Sequence, residues 1–174
     1  MGVNRFRAAP PAVWHNLGSE IKSPPCPKAR ARRIGTPHLL YLTRKAEFAA
    51  SHYYHNPELS PEENRRLFGK SNNPNGHGHN YVLEVTVKGE IDPGSGFVVD
   101  LKQLKEIMHR EVLDAMDHRF LNKEVPEFAT RLPTTENLAI AIWQRLRPKL
   151  TKAKLHRVRV YENYDLFVDY YGDE

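Results

Sequence analysis

The sequence predicts an α+β domain in which an antiparallel sheet carries a pair of helices on one face. Two observations predict it: extended segments with alternating apolar residues lie near both ends of the chain, and two segments of helical periodicity lie between them. The predicted order is β-β-α-α-β-β, with an extra short helix between the first two strands. Strands at both ends with helices between them favour an antiparallel sheet.

The first strand and the short helix are predicted early in this order. Residues 39–52 alternate partly between apolar and polar side chains, as in a strand. Ser60 has the features of a helix N-cap, because Pro61 follows it and Glu63 completes a capping box. This helix has to be short, since Gly69 and a loop rich in Asn, Pro and Gly follow it.

The clearest predicted strand covers residues 80–90. Its apolar face carries Tyr81, Leu83, Val85 and Val87, and its opposite, polar face carries Glu84, Thr86 and Lys88. A turn at residues 92–96 precedes a second extended run at residues 97–99.

Two helices and two closing strands complete the prediction. Asp100 is the expected cap of a helix whose apolar residues fall at helical spacing: Leu101, Leu104, Met108, Val112 and Ala115. A second helix opens at residues 133–137 and runs to about Leu146, with Leu138, Ile142, Trp143 and Leu146 buried. Residues 155–162 and 166–171 are the closing strands.

The charge of the chain is unevenly distributed. The net charge is +5 over 174 residues, but residues 1–35 hold seven Lys/Arg and one acidic residue, which leaves −1 for residues 36–174. We expect residues 1–35 to be a disordered, basic, Pro/Arg-rich extension, and the remaining chain lacks the positive patch that nucleic-acid binding needs. Without a secretory signal or a long apolar run, we expect a cytoplasmic protein with no nucleic-acid or membrane partner.

A candidate metal site lies where a turn-rich loop enters the second strand. Residues i and i+2 of a strand share a face, so His77 and His79 would present two imidazoles side by side. His52, at the end of the first strand, is the preferred third ligand, and His55 is the alternative. Three histidines with an open coordination position are typical of catalytic zinc. The alternative interpretation is a polar strand entry without a metal.

Three further features are candidates for proton transfer or ligand binding. Asp117-His118 follows the first long helix, and a histidine beside a carboxylate can move protons, although most such pairs only cap or hydrogen-bond. Glu136 lies at a helix start, where the helix dipole favours an acid. Glu162 shares a strand face with two valines, so it lies either at the rim of the core or in a site for a donor-rich ligand.

Five segments in this order resemble a known family: residues 48–52, 67–81, 116–118, 134–137 and 160–162. Together they resemble the 6-pyruvoyltetrahydropterin synthase family, which includes the bacterial 6-carboxytetrahydropterin synthases. The resemblance runs from about residue 39 to the C-terminus and makes residues 36–174 a pterin synthase-like domain. It implies a tunnel fold (T-fold), in which sheets of several subunits close into a barrel and two trimers form a homohexamer.

The resemblance implies a metal site and a proton relay. His52, His77 and His79 match the zinc ligands of the family. Asp117 and His118 match the histidine–aspartate part of the relay, which in the family reaches the catalytic residue across a subunit interface.

The resemblance also implies a pterin pocket. Thr134, Thr135 and Glu136 match the segment that anchors the pterin, and Glu162 matches a further glutamate of the pocket or the relay. A carboxylate can accept the paired N–H donors of a 2-aminopyrimidinone edge, so such an assignment is chemically reasonable.

The implied reaction is the conversion of 7,8-dihydroneopterin triphosphate to 6-pyruvoyltetrahydropterin with loss of inorganic triphosphate, a carbon–oxygen lyase reaction that uses zinc. The spacing before His77 looks more like the animal pyruvoyl enzymes than the bacterial carboxy type. The alternatives are a 6-carboxytetrahydropterin synthase, a side-chain cleavage like that of dihydroneopterin aldolase, and a non-catalytic pterin-binding oligomer. The residues available to hold the triphosphate are Arg65, Arg66, Lys70 and Arg119.

One position departs from the family pattern. The family has a cysteine as proton acceptor six residues before the first histidine of His-Gly-His, where this chain has Ser71. A thiol with a pKa near 8.5 can become a thiolate with modest help, whereas an alcohol is not a comparable base. Three interpretations remain open: an engineered substitution that traps substrate, a natural residue with His118 or zinc-bound hydroxide as the base, or loss of the synthase step with zinc and pterin binding retained.

Overall fold

The computed structural model describes residues 38–173. The extension predicted at residues 1–35 lies outside the described residues. Within the described range, no helix combines the length and the apolar character that a membrane span requires.

Five strands form one sheet in the order β3-β1-β2-β4-β5. β1 (Leu40–His52) and β2 (His77–Gly89) pair antiparallel along their whole length, and β4 (Lys154–Tyr161) and β5 (Phe167–Tyr170) extend the sheet antiparallel beyond β2. The predicted antiparallel sheet is confirmed. β3 (Arg119–Phe120) adds parallel to β1, and the sequence does not predict it because two residues carry no periodicity.

The helical segments connect these strands in the predicted places. In chain order they are α1 (Pro61–Phe68) with a 3₁₀ turn at Gly69–Asn72, α2 (Leu101–Met108), a π-helical turn at His109–Leu113, α3 (Asp114–Met116), α4 (Leu121–Glu124), a 3₁₀ turn at Pro126–Phe128, and α5 (Thr135–Leu146) with a 3₁₀ turn at Arg147–Lys149. The first long helix of the prediction is therefore three consecutive pieces, α2, the π turn and α3.

Side-chain caps define where the helices start. The Ser60 hydroxyl accepts the Glu63 N–H at 3.2 Å, and the Glu63 carboxylate accepts the Ser60 N–H at 2.9 Å, so the predicted capping box is confirmed. The Asp100 carboxylate accepts the Lys102 N–H at 2.8 Å. The Thr134 hydroxyl oxygen caps α5 by accepting the Asn137 N–H. The side chain of the next residue, Thr135, is not needed for capping and can contact groups outside the helix.

The core lies between one face of the sheet and the long helices. The four apolar residues predicted for β2 are fully buried, and the helices contribute Leu104, Met108, Val112, Leu138, Ile142 and Leu146. Each large apolar side chain that leaves water in this way contributes about 1.5–3 kcal/mol. This packing holds the sheet and α5 together, and the candidate site lies at their shared end.

Two predictions about element boundaries are wrong, and one apolar residue of the first long helix lies outside the core. β2 begins at His77 rather than residue 80, because Gly76 ends the loop with a positive φ of 75° and His77 then pairs with His52. Residues 97–99 do not form a strand: residues 98 and 99 form a bend that leads directly into the Asp100 cap. Leu101 is exposed, because the first position of α2 faces away from the sheet.

The polar face of β2 is also less exposed than the alternation suggests. Glu84 is 6% exposed because two cations cover it: Lys45 Nζ lies 2.7 Å from one carboxylate oxygen and Arg157 Nη2 lies 2.9 Å from the other. Thr86 is covered too, and its hydroxyl lies 2.8 Å from that of Thr43. Period-2 alternation identifies the two faces of a strand, but it does not reveal neighbours that shield the polar one.

Candidate metal centre

The β1–β2 pair brings three histidines together at one end of the sheet. His52 lies opposite His77, and Ala50 lies opposite His79, so the three imidazoles share the core-side face. Nitrogen atoms of the three rings all lie within 4.8 Å of one another. The structure thus assembles the predicted trio, whereas His55 is exposed and lies outside it.

His52 is oriented by a contact that is distant in sequence. Its Nδ1 lies 2.8 Å from the carbonyl oxygen of Pro133, so Nδ1–H donates and Nε2 keeps its lone pair. That Nε2 faces Nε2 of His77 at 3.1 Å. The side chain is fully buried, and this desolvation lowers the pKa of His52 to about 4. A neutral imidazole with a fixed tautomer is the form that coordinates a metal.

The remaining nitrogens support the same interpretation. His79 Nε2 is buried and has no hydrogen-bond partner within residues 38–173, as expected of a nitrogen placed to bind a metal, while the nitrogen of His77 that faces His52 is Nε2. Unpaired buried polar atoms are rare in folded proteins and call for an explanation. Zn–N bonds of roughly 2.0–2.1 Å in a tetrahedral site place ligand nitrogens about 3.3 Å apart, close to the separation between His52 and His77. The donor set therefore fits a metal ion held by three imidazole ligands.

Glu162 lies beside this cluster, directly after β4. Its Oε1 is 3.6 Å from His79 Nε2, which is too long for a hydrogen bond, and its side chain is 13% exposed. Its Oε2 accepts a hydrogen bond from the buried hydroxyl of Thr135. Burial lowers the pKa of His79, and the Glu162 carboxylate opposes this effect. One carboxylate is thus held at the cluster with a lone pair available to a ligand.

The start of α5 contributes the other acidic group. Thr134 is the N-cap, and Glu136 is exposed in the first turn of the helix. The charges of Glu162 and Glu136 both raise the pKa of the Tyr54 hydroxyl, although burial is the main cause. Both carboxylates therefore act on the region around Tyr54, which adjoins the histidine cluster.

Asp117 and His118 lie at the outer edge of the sheet. Asp117 Oδ1 accepts the Ala49 N–H at 2.8 Å, and this bond, followed by the contact with His118, lowers the pKa of Asp117. His118 Nδ1 lies 3.0 Å from the same carboxylate, while its side chain is 82% exposed. Among the described residues, no hydrogen bond or ion pair joins His118 to Ser71 or to the histidine cluster. Asp117 orients His118 towards solvent in the single chain.

Ser71 is held near the cluster through the backbone. It lies half-buried in the 3₁₀ turn after α1, and its carbonyl oxygen accepts the Tyr54 N–H at 2.8 Å. Asn72 adds a second bond from its side-chain amide to the Tyr54 carbonyl at 2.7 Å. Since Tyr54 follows His52 by two residues, the loop that carries Ser71 is fastened to the end of β1.

Sequence reasoning missed three contributors to this site. The Tyr54 ring lies 4.9 Å from the His52 ring, and the Tyr81 hydroxyl lies 3.3 Å from His52 Nδ1. Tyr81 follows His79 by two residues, so strand periodicity could have placed it on the histidine face. The Pro133 carbonyl gives no sequence signal, because a backbone acceptor 81 residues away depends only on tertiary structure.

The family follows from comparison with known proteins. The sequence model described as 6-pyruvoyl tetrahydropterin synthase matches residues 41–173. The chain belongs to this family. It is 47% identical over 132 residues to the human 6-pyruvoyl tetrahydrobiopterin synthase, with 76% of this chain and 91% of the human protein covered. For the protein of that name from Poecilia reticulata, the identity is 43% over 143 residues, with 82% and 94% covered.

A solved structure shows the same fold. The 6-pyruvoyl tetrahydropterin synthase of Caenorhabditis elegans superposes with a TM-score of 0.76 at 41% identity, covering 79% of this chain and 98% of that chain. The resemblance inferred from the five segments is confirmed, and so is the α+β fold of the family. The matched region begins close to the start of β1, as the sequence predicts.

Proposed function

We propose that this member of the family converts 7,8-dihydroneopterin triphosphate to 6-pyruvoyltetrahydropterin and inorganic triphosphate, a step in tetrahydrobiopterin biosynthesis. The observation that carries the proposal is the histidine cluster beside the oriented carboxylate of Glu162. The similarity to proteins named for this synthase, at 43–47% identity, supports it. The reaction breaks the carbon–oxygen bond to the triphosphate and moves protons between the ring and the side chain of the pterin.

We propose zinc as the metal, held by His52, His77 and His79. The all-nitrogen donor set and the neutral state of His52 support this choice. Bound there, zinc supplies Lewis acidity, which lowers the pKa of substrate hydroxyl groups and polarises a carbonyl oxygen. The contact of His52 with Pro133 fixes the ring orientation before any metal arrives.

Glu162 is the proposed anchor for the pterin. Its carboxylate can accept two parallel N–H bonds from a 2-aminopyrimidinone edge, and the Thr135 hydroxyl holds it in one orientation. Thr134 caps the start of α5, and Glu136 in its first turn adds a second negative charge that acts on Tyr54. Together these groups favour a ligand rich in hydrogen-bond donors.

The proton relay is proposed to operate between subunits of a homohexamer built from two trimers. Asp117 orients His118, but His118 is exposed, so its imidazole is free to reach a site on a neighbouring copy. The outer edges of β3 and β5 have no partner strand in the described part of the chain. Open edges favour pairing with further strands, which supports closure of a barrel by several copies.

Ser71 occupies the position where the family has its cysteine. We propose that His118 from a neighbouring copy serves as the base here and that the Ser71 hydroxyl passes a proton to it. A hydroxyl can relay a proton without being a stored anion, whereas its high pKa prevents it from replacing a thiolate. Turnover at a slower rate than in a cysteine-containing site is the expected consequence.

One incubation tests the function. The zinc-loaded protein is mixed with 7,8-dihydroneopterin triphosphate, and products are identified by mass. Release of triphosphate together with a pyruvoyl product is the expected result. Acetaldehyde with a carboxy product, a cleaved side chain, or binding without turnover would each contradict the proposal.

A further inference from the structure

A second cavity lies at the opposite end of the sheet from the metal centre. Its volume is about 540 Å³, and it is bordered by the end of β2, the start of β4 and the residues after α5. His77 is the first residue of β2, whereas Lys88 of the cavity lies eleven positions further on. At about 3.3 Å per strand residue, the two sites are roughly 35 Å apart. The cavity is of a size that suits a small ligand.

The cavity is strongly basic. Among the described residues, its lining includes four side chains with a permanent positive charge and one histidine, namely Lys88, Arg147, Lys152, Lys154 and His156, against a single acid, Asp173. Within residues 38–173, none of the four permanent cations forms an ion pair. Residues 36–174 carry a net charge of −1, so this concentration of positive charge is local rather than a property of the whole domain.

Two of these cations lie at directly opposite positions on adjacent strands. Lys88 of β2 pairs directly with Lys154 of β4 in the strand register. Like charges at directly opposite positions destabilise a sheet. By contrast, Arg157, which lies on the same face of β4, is neutralised by Glu84. An anion bound between the two lysines would remove the repulsion.

An aromatic wall that contains His156 and Tyr171 borders the cavity, and Tyr41 contacts His156 from outside the lining. The strand register shifts between Thr86 and Val87 so that His156 has no partner residue, as in a β-bulge. A bulge redirects the side chain that it carries, and the His156 ring lies between those of Tyr41 at 4.5 Å and Tyr171 at 5.5 Å. Both tyrosines are more than half exposed, so ring faces remain available to a ligand.

Two residues near the end of the chain, Tyr171 and Asp173, also border the cavity. Gly172 has a φ of 85°, and a Cβ atom there would lie 2.4 Å from a ring atom of Trp143. Only glycine fits both conditions, so the backbone crosses the buried Trp143 ring in close contact. Tyr171 and Asp173 on either side of it are thereby placed at the cavity.

We propose that this basic cavity is a binding site for an oligophosphate anion, separate from the metal centre. Lysine and arginine side chains bind phosphate oxygens, and the rings of His156 and Tyr171 in the lining suit an aromatic base attached to the phosphates. Inorganic triphosphate and a nucleoside triphosphate share the recognised group. The proposal does not depend on the reaction catalysed at the metal centre.

Calorimetric titration of the full-length protein at low salt tests the site, with inorganic triphosphate and ATP as the two probes. The variant Lys152→Ala/Lys154→Ala removes two exposed cations of the cavity, and Lys102→Ala/Lys105→Ala removes two exposed lysines of α2 as a charge-matched control. We expect the cavity variant to weaken ATP binding at least tenfold and the control to change it less than twofold. Lys152→Arg/Lys154→Arg should retain binding.

The two probes identify the source of the ligand. Equal affinity for both would indicate recognition of the phosphates alone, and tighter binding of ATP, lost in Tyr171→Ala, would indicate contact with the base. Either result supports the site. Absence of ATP binding, or equal ATP affinities of the cavity variant and the control variant, would overturn it. Turnover of dihydroneopterin triphosphate by the cavity variant, measured in parallel, reports on the metal centre independently.

Discussion

The hydroxyl of Thr135 donates a hydrogen bond to Oε2 of Glu162, which joins the first residue of α5 to the residue that follows β4. The other carboxylate oxygen lies 3.6 Å from His79 Nε2. One side chain thus connects the helix, the sheet and the histidine cluster. A carboxylate that is held in this way has little freedom left to lose when a ligand binds, which favours affinity.

Replacing Thr135 by valine keeps the shape of the side chain and removes the donor. A hydrogen bond to a charged group contributes about 1.5–3 kcal/mol, so we expect the KM for dihydroneopterin triphosphate to rise at least about tenfold with a smaller change in kcat. Thr135→Ser retains a hydroxyl and should stay close to the unmodified protein. Steady-state kinetics measure both variants, and an unchanged KM in Thr135→Val would contradict the anchoring role of Glu162.

Removing any one of the three clustered histidines should abolish metal retention. We expect His52→Ala, His77→Ala and His79→Ala to hold far less zinc after dialysis than the unmodified protein, because two imidazoles leave the ion without its third protein ligand. His55→Ala is the matched control, since His55 is exposed and outside the cluster. Elemental analysis gives the metal content. Full zinc content in His77→Ala would refute the assignment.

Introducing a cysteine at the loop position should accelerate the reaction. A thiol ionises near pH 8.5 and a serine hydroxyl does not, so Ser71→Cys supplies a base that the serine side chain cannot. We expect kcat to rise by about 100-fold or more, the range typical of positioned acid–base groups. The increase should follow thiolate formation in a pH–rate profile. Ser71→Ala controls for loss of the hydroxyl, and a slower Ser71→Cys enzyme would argue against proton transfer at this position.

Mixed oligomers test whether one active site draws on two chains. His77→Ala lacks a metal ligand, and His118→Ala lacks the relay imidazole, so each variant alone should be inactive. If the relay crosses an interface, random coexpression restores roughly a quarter of the sites. Activity of the purified mixed oligomer measures the recovery. No recovery in oligomers shown to contain both chains would place both groups in the same chain.

An ion pair away from the site gives a pH-dependent contribution to stability. Arg145 contacts the two carboxylate oxygens of Glu127 at 2.6 and 2.7 Å and thereby lowers the pKa of Glu127 from 4.5. The ionised form is therefore favoured in the folded chain. Its contribution is fully present above pH 4.5 and is lost as the pH falls through the lowered folded pKa.

Glu127→Gln should consequently cost about 1–2 kcal/mol of unfolding free energy at neutral pH and almost nothing in strong acid. Urea unfolding across the pH range measures the difference. Glu106→Gln removes an exposed acid from α2 and should change stability little at any pH. A Glu127→Gln penalty that stays constant in acid would show that the charge is not responsible.

Local patterns in the sequence predicted the parts of the fold that depend on short-range chemistry. The capping box at Ser60 and Glu63 and the buried face of β2 follow from spacing alone, and both are present. The burial of Glu84 could not be predicted, because Lys45 and Arg157 come from two other strands. The π turn within the first long helix does not interrupt the spacing of the apolar residues, so the sequence gives no sign of it.

The same distinction between local patterns and contacts of distant segments applies to the candidate site. His77 and His79 could be paired from strand periodicity, and His52 could be proposed because it ends the neighbouring strand. The backbone acceptor at Pro133 and the ring of Tyr54 could not be placed. Their roles depend on where distant segments meet, and no local spacing encodes that.

The alignment of His52 with His77 has a consequence for how the chain reaches its native state. A 24-residue segment separates these two residues, so no tight turn dictates how β1 and β2 slide against each other. A shift by one position would turn His77 to the opposite side, and a shift by two would part it from His52. A metal ion bound by all three histidines would discriminate against both misaligned forms, so chelation would select the correct strand register during folding.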